Sequence, residues 1–120
     1  MNIVKKLEEI HAELEKRPKF PEYSCSFAAK VVYEKTGILP VAGHVLTDTG
    51  PEKHSWNETE DSRIIDLSLY QFDRNLPKII YEDRESLEHS WGYFIDKENT
   101  KRLREHINNF GKYSFRSHLR

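Results

Sequence analysis

Cys25 is the only cysteine in the chain, and the run Tyr23-Ser24-Cys25-Ser26-Phe27-Ala28-Ala29 reads as the opening of a helix. That helix extends to about Glu34 or Lys35, with Gly37 as its stop signal. A thiol in the first turn feels the positive end of the helix dipole and the free N–H groups there, which favour thiolate over thiol. Two later stretches supply what a thiolate nucleophile needs. His54-Ser55-Trp56-Asn57-Glu58 carries a base, and Ile64-Ile65-Asp66-Leu67 carries a carboxylate to orient it. Cys, His and Asp in that order, each on its own element, follow the logic of nucleophile, base and orienter in covalent catalysis.

Strand parity says how the last two meet. An antiparallel hairpin turning at Thr59, Glu60 and Asp61 pairs Glu58 with Ser62, Trp56 with Ile64 and His54 with Asp66. Imidazole and carboxylate are then neighbours on one face, with Cβ atoms roughly 4.5–5.5 Å apart. A slip of one residue would send Asp66 to the other face. Trp56 shares the face of His54 and, with Tyr23 beside the thiol, is a candidate substrate contact. Asn57 points the other way and is expected to be structural.

These residues resemble the transglutaminase-like branch of the papain-like superfamily. The matching text is Cys25 opening an Ala-containing helix, then Thr36-Gly37-Ile38-Leu39-Pro40, then His54-x-Trp56-x-Glu58, then Ile65-Asp66-Leu67-Ser68 with Gln71-Phe72 after it. The likeness covers about residues 23–72. Leu39 is an insertion in the Gly-Ile-Pro pattern and Ser55 stands where Ala is common. There is also no tryptophan upstream of Cys25 of the kind some transglutaminases use for the oxyanion. The resemblance implies a papain-like core in which the nucleophile helix packs on a mainly antiparallel sheet. It also implies acyl transfer with Cys25, His54 and Asp66 as the triad, acting on a glutamine side-chain amide or a peptide bond of a protein or peptide substrate. The outcome would be amide hydrolysis, deamidation, transamidation or peptide cleavage. The oxyanion would be met by the Cys25 backbone N–H and a second donor that the sequence does not name. No organic cofactor and no metal are implied. The rival reading is a catalytically inactive module of the same fold that recognises a protein partner.

Composition bounds the remaining classes. A chain of 120 residues is expected to form one domain over 1–120 with a single modest core. With 37% hydrophobic and 32% charged residues and a mean hydropathy of −0.79, that core must lean on its aromatics. A formal net charge of −1 gives no global attraction to nucleic acid or an anionic membrane. No run approaches the ~18 apolar residues of a membrane span, and Met1-Asn2-Ile3-Val4-Lys5-Lys6 lacks a signal-peptide core. One cysteine makes no internal disulfide, so the expected place is the cytoplasm, or outside after export without a cleavable signal. A metal site built from His44, His54 and a carboxylate has neither a second cysteine nor a His-Glu-x-x-His spacing behind it.

The supporting elements follow from periodicity. Ile3, Leu7, Ile10 and Leu14 make an apolar stripe on a helix at about Asn2–Lys16, with His11 at its boundary. Pro18 and Pro21 stiffen the following loop, and Ser24 is the expected N-cap of the Cys25 helix. Val41–Leu46 reads as a strand. Its His44 competes with His54 for the base but has no carboxylate at matching parity. Lys78–Glu82 and Ser90–Ile95 are further strand candidates, and Asp96 opens a helix to about Asn109 with Leu103, Ile107 and Phe110 inward and Gly111 as its stop. The basic, aromatic tail Lys112–Arg120 is expected to fray. The result is an α+β domain with a sheet of about four or five strands between N- and C-terminal helices.

Overall fold

The first helix, α1 (Ile3–Glu15), forms where the apolar stripe predicts it, and the Asn2 Oδ1 atom caps it by accepting the Lys5 N–H at 3.2 Å. The computed structural model describes residues 2–88 and 92–107. A second helix, α2 (Cys25–Thr36), starts on the cysteine and stops at Gly37, whose φ of 78° is the left-handed turn that glycine adopts without a Cβ penalty. Ser24 occupies the N-cap position but does not cap. Its hydroxyl donates back to the Glu22 carbonyl at 2.9 Å, so no side chain occupies the first-turn N–H groups of α2.

The sheet follows from β1 (Pro40–Thr47), β2 (Gly50–Glu58), β3 (Arg63–Asp66), β4 (Ile80–Asp83) and β5 (Tyr93–Ile95). Its spatial order is β4-β3-β2-β1-β5 and every pairing is antiparallel. A 3-10 turn at Leu69–Gln71 precedes β4, α3 (Arg84–Glu88) follows it, and residues 97–107 form α4. The domain is thus α+β with a five-stranded antiparallel sheet.

Side chains alternate across strands, so the sheet buries two clusters. Ile65 joins Leu7, Ile10, Leu14, Ala28, Val32 and Leu67 under α1 and α2. Ile64, its neighbour in β3, joins Val41, Val45, Trp56, Leu69, Ile80 and Tyr93 on the opposite face, where Phe72, Leu76 and Leu87 pack against them. Asn57 is structural as expected. Buried beneath α2, its amide donates to the carbonyls of Ala29 and Ile38 at 2.9 and 3.0 Å and ties the helix to the sheet. His11 differs from expectation. It is buried rather than at a boundary, and its Nε2 pairs with the Tyr70 hydroxyl at 2.9 Å.

The hairpin register also differs. Glu58 pairs with Ile64 and Asn57 with Ile65, two residues beyond the expected pairing. Ser62 causes this. Its φ of 65° takes it out of the strand, and the Thr59 N–H closes the turn on the Arg63 carbonyl at 2.9 Å. Because the shift is even, Asp66 keeps the face of His54 and moves from directly opposite it to a diagonal position.

At the other side of the sheet Asp96 caps α4, its Oδ1 accepting the Asn99 N–H at 3.0 Å. Thr100 Oγ1 bridges both backbone groups of Ala42 at 3.0 and 2.9 Å. Ile107 is buried as expected, whereas Ser90, Trp91, the helix end near Asn109, Phe110, Gly111 and the tail lie outside the described residues. Among the described residues no helix is long and apolar enough to cross a membrane.

β5 approaches β1 at a glycine. A methyl group on Gly43 would lie 1.9 Å from the Phe94 carbonyl oxygen, inside any van der Waals limit. Gly43→Ala should therefore push β5 off the sheet and cost about 1–3 kcal/mol, read as a lower urea midpoint. An unchanged midpoint would contradict this packing.

Candidate active site

The centre of the site is a buried ion pair. His54 Nε2 donates to Asp66 Oδ2 at 2.6 Å, and both side chains are sealed from solvent. A carboxylate out of water must have its lone pairs occupied, and three further donors do this. The Ser68 N–H reaches Oδ1 at 2.9 Å with its hydroxyl behind at 3.4 Å, and the Tyr93 hydroxyl reaches Oδ2 at 3.0 Å. Burial, and then the Asp66 charge, push Tyr93 far up, so its hydroxyl stays a donor. Burial alone would lower His54, but the Asp66 charge and hydrogen bond, helped by Cys25, raise it to about 9.

The ring is clamped by aromatics. Trp56 stacks along His54 with centroids 6.1 Å apart, and Phe72 meets it edge-on at 5.3 Å. Trp56 itself is held by Tyr93 at 5.0 Å and by its Nε1–H donating to Glu58 Oε1 at 3.1 Å. That carboxylate also receives Arg84 Nε and a terminal guanidinium nitrogen at 3.1 and 2.9 Å. Trp56 is only 1% exposed. This corrects its reading as a substrate contact: it supports the imidazole from inside the core and offers a ligand no surface.

Cys25 arrives from the other side. β3 pairs with β2 through Asn57 and Glu58, and the edge of β2 near Ser55 is where α2 begins: Ser26 and Ser55 hydroxyls lie 3.3 Å apart. The Ser55 backbone N–H lies near the Cys25 sulfur and favours its charged form. Burial pushes the thiol up, and the Asp66 charge adds to that. The hydrogen bond and charge of His54 with the Ser55 N–H outweigh both, so the net displacement is downward. His54 Nδ1, buried and without a full hydrogen bond, is the ring atom left for the thiol once Nε2 is engaged by Asp66. Such contacts are often long in a resting site and tighten when substrate binds. The two shifts favour a thiolate beside an imidazolium that a carboxylate holds.

The structure thus brings Cys25, His54 and Asp66 together from α2, β2 and β3. Tyr23, two residues before the thiol, is 96% exposed with φ 56°. His44 lies opposite Lys53 on the other face of the sheet from His54 and stacks on Phe94 at 5.1 Å. The His44, His54 and carboxylate set is therefore not assembled, and among the described residues no three His, Cys, Asp or Glu side chains are placed to hold a metal ion. Sequence reasoning missed the Tyr93 donor, which reaches Asp66 only through the β1–β5 pairing, and the Ser55 N–H, a backbone group with no signature. Ser68 was legible as the small hydroxyl residue after Asp66. Compared with family models, curated proteins and solved structures, the chain matches none of them.

Two outcomes follow from this geometry. Tyr93→Phe removes one donor from a buried carboxylate and should cost about 1.5–3 kcal/mol, measured by urea unfolding; a neutral substitution would mean the bond carries nothing. His54 is raised from 6.5 to about 9, so its protonation favours the folded state. Its contribution should be complete below pH 6.5 and decline as pH rises through about 9. The stability difference between Cys25→Ala and Cys25→Ala/His54→Gln, followed over that window, should shrink with pH. A flat or growing difference would contradict the pairing.

Proposed function

We propose that this chain is a cysteine-dependent acyl-transfer enzyme of transglutaminase-like, papain-like type. The observation that carries the reading is His54, sealed in the core with Nε2 committed to Asp66 and Nδ1 left for the single thiol. A buried, charged imidazole is costly to maintain, and between a carboxylate and a helix-start cysteine it has a chemical use.

The Cys25 thiolate attacks the carbonyl carbon of a glutamine side-chain amide or a peptide bond in a protein or peptide, forming a carbon–sulfur bond. The C=O electron pair moves onto oxygen. As the tetrahedral adduct collapses, the His54 imidazolium gives its Nδ1 proton to the departing nitrogen, and ammonia or an amine leaves a thioester on Cys25. Neutral His54 then takes a proton from water or from an incoming amine, which attacks the thioester and regenerates the thiolate. Water makes the reaction hydrolysis or deamidation, and an amine makes it transamidation. Asp66 holds the ring in the tautomer with hydrogen on Nε2 through both halves. Nothing in the sequence of steps consumes a cofactor. A thiolate in this role suits a reducing compartment such as the cytoplasm.

The test is the alkylation rate of Cys25 by iodoacetamide across pH, which belongs to one residue because the chain has one thiol. The rate should hold a plateau well below the ~8.5 of a free cysteine. In His54→Ala the plateau should vanish and the profile move up to an ordinary thiol titration. Asp66→Asn should weaken the plateau, since the charge that raises His54 is gone. A wild-type profile indifferent to His54 would end the enzyme reading in favour of a binding module that keeps this fold.

A further inference from the structure

A tetrahedral adduct on Cys25 needs donors for its oxygen, and the free first-turn N–H of Cys25 supplies one. We infer that Gln71 supplies the second, its side-chain Nε2 forming with the Cys25 N–H the oxyanion site for a carbonyl-centred acyl donor. The inference rests on the acyl-transfer reading above and adds a substrate-contacting residue to it.

Three observations point to this amide. Gln71 Nε2 is buried and has no acceptor among the described residues, a costly condition for an amide group in a folded protein. Its orientation is fixed by chemistry. Gln71 Oε1 accepts the Tyr23 N–H at 3.3 Å, and the reverse orientation would set donor against donor, so the NH2 is turned away from that backbone group. Its surroundings lead to both reacting partners. Tyr23 lies two residues before Cys25, while Phe72, next to Gln71, covers the His54 ring at 5.3 Å. An ion pair between Arg74 and Glu22 ties the same two segments together, and the Gln71 N–H closes its own turn on the Ser68 carbonyl at 3.1 Å. The turn that Asp66 and Ser68 begin therefore carries Gln71 to the loop that delivers the thiol.

Neighbouring side-chain hydroxyls are engaged elsewhere: Ser24 donates to the Glu22 carbonyl, and Ser26 and Ser55 pair with each other. His54 Nδ1, also buried without a partner, must serve the leaving nitrogen. Gln71 Nε2 is the buried side-chain donor without a partner on this side of the thiol.

The test compares two reactions of the same thiol on the full chain. Iodoacetamide is attacked at a saturated carbon and loses iodide, so no oxyanion forms. p-Nitrophenyl acetate is attacked at its carbonyl, passes through an oxyanion, and expels p-nitrophenolate to leave an acetyl thioester, with Cys25→Ala giving the background. Gln71→Ala removes the whole amide. Gln71→Glu keeps an acceptor for the Tyr23 N–H and puts a carboxylate oxygen where the donor stood. Both rates are read on the high-pH plateau, where differences in thiol ionisation drop out. The expected result is an acylation rate lower by on the order of 100-fold in both variants with alkylation unchanged. Equal losses in the two reactions would reduce Gln71 to a structural role and overturn the inference, as would unchanged acylation. A wild type that alkylates fast but is not acylated overturns the oxyanion site and leaves the activated thiol standing. A wild type that does neither ends both readings.

Discussion

The contact between Asp66 and His54 is the constraint on which the rest of this structure depends. A carboxylate removed from water needs its remaining lone pairs answered, and the answers come from separate parts of the chain. Ser68 belongs to the turn just beyond β3, while Tyr93 belongs to the last strand and reaches Asp66 across the whole width of β1 and β2. Closing β5 onto β1 is thus an electrostatic requirement as well as a packing one. Gly43 makes that closure possible by presenting no side chain where the Phe94 carbonyl comes in.

The same pair explains the division of labour between the two faces of the sheet. The face bearing His54, Trp56 and Asp66 is packed with aromatics and covered by the segment after β3. A second polar chain, Trp56 to Glu58 to Arg84 to the Tyr93 carbonyl, laces β2 to β5 there. The opposite face receives α1 and α2, and Asn57 fixes α2 by the Ala29 carbonyl. Because α2 is held along its length, its first residue is delivered to the open edge of β2. There Cys25 approaches the imidazole around the strand rather than across the face. His54 and the Ser55 N–H together exceed what burial and the Asp66 charge cost the thiolate.

Much of this was written in local sequence. The apolar spacing of Ile3, Leu7, Ile10 and Leu14 sufficed for α1, Gly37 for the end of α2, and Asp96 for the start of α4. Residue type and order were enough to pair His54 with Asp66 and to start a helix on Cys25, because the chain has one thiol and period two along a strand constrains which side chains can share a face. The hairpin register was misread by two residues because the left-handed backbone of Ser62 has no glycine or Asn-Gly to announce it. The facing of His54 and Asp66 survived that misreading, since an even shift preserves parity.

What the sequence by itself determined, then, is which groups can do chemistry and which side of a strand they occupy, both properties of nearest neighbours and short periods. Tertiary structure alone decided what surrounds them. Trp56 reads on paper as a wall for a ligand and is a buried support for the imidazole. Tyr93, 27 residues from Asp66 in sequence, is its hydrogen-bond partner. Gln71 and Tyr23 meet across 48 residues. Burial and long-range hydrogen bonding depend on how distant segments stack, and no local pattern of residue types encodes which donor will end beside which acceptor.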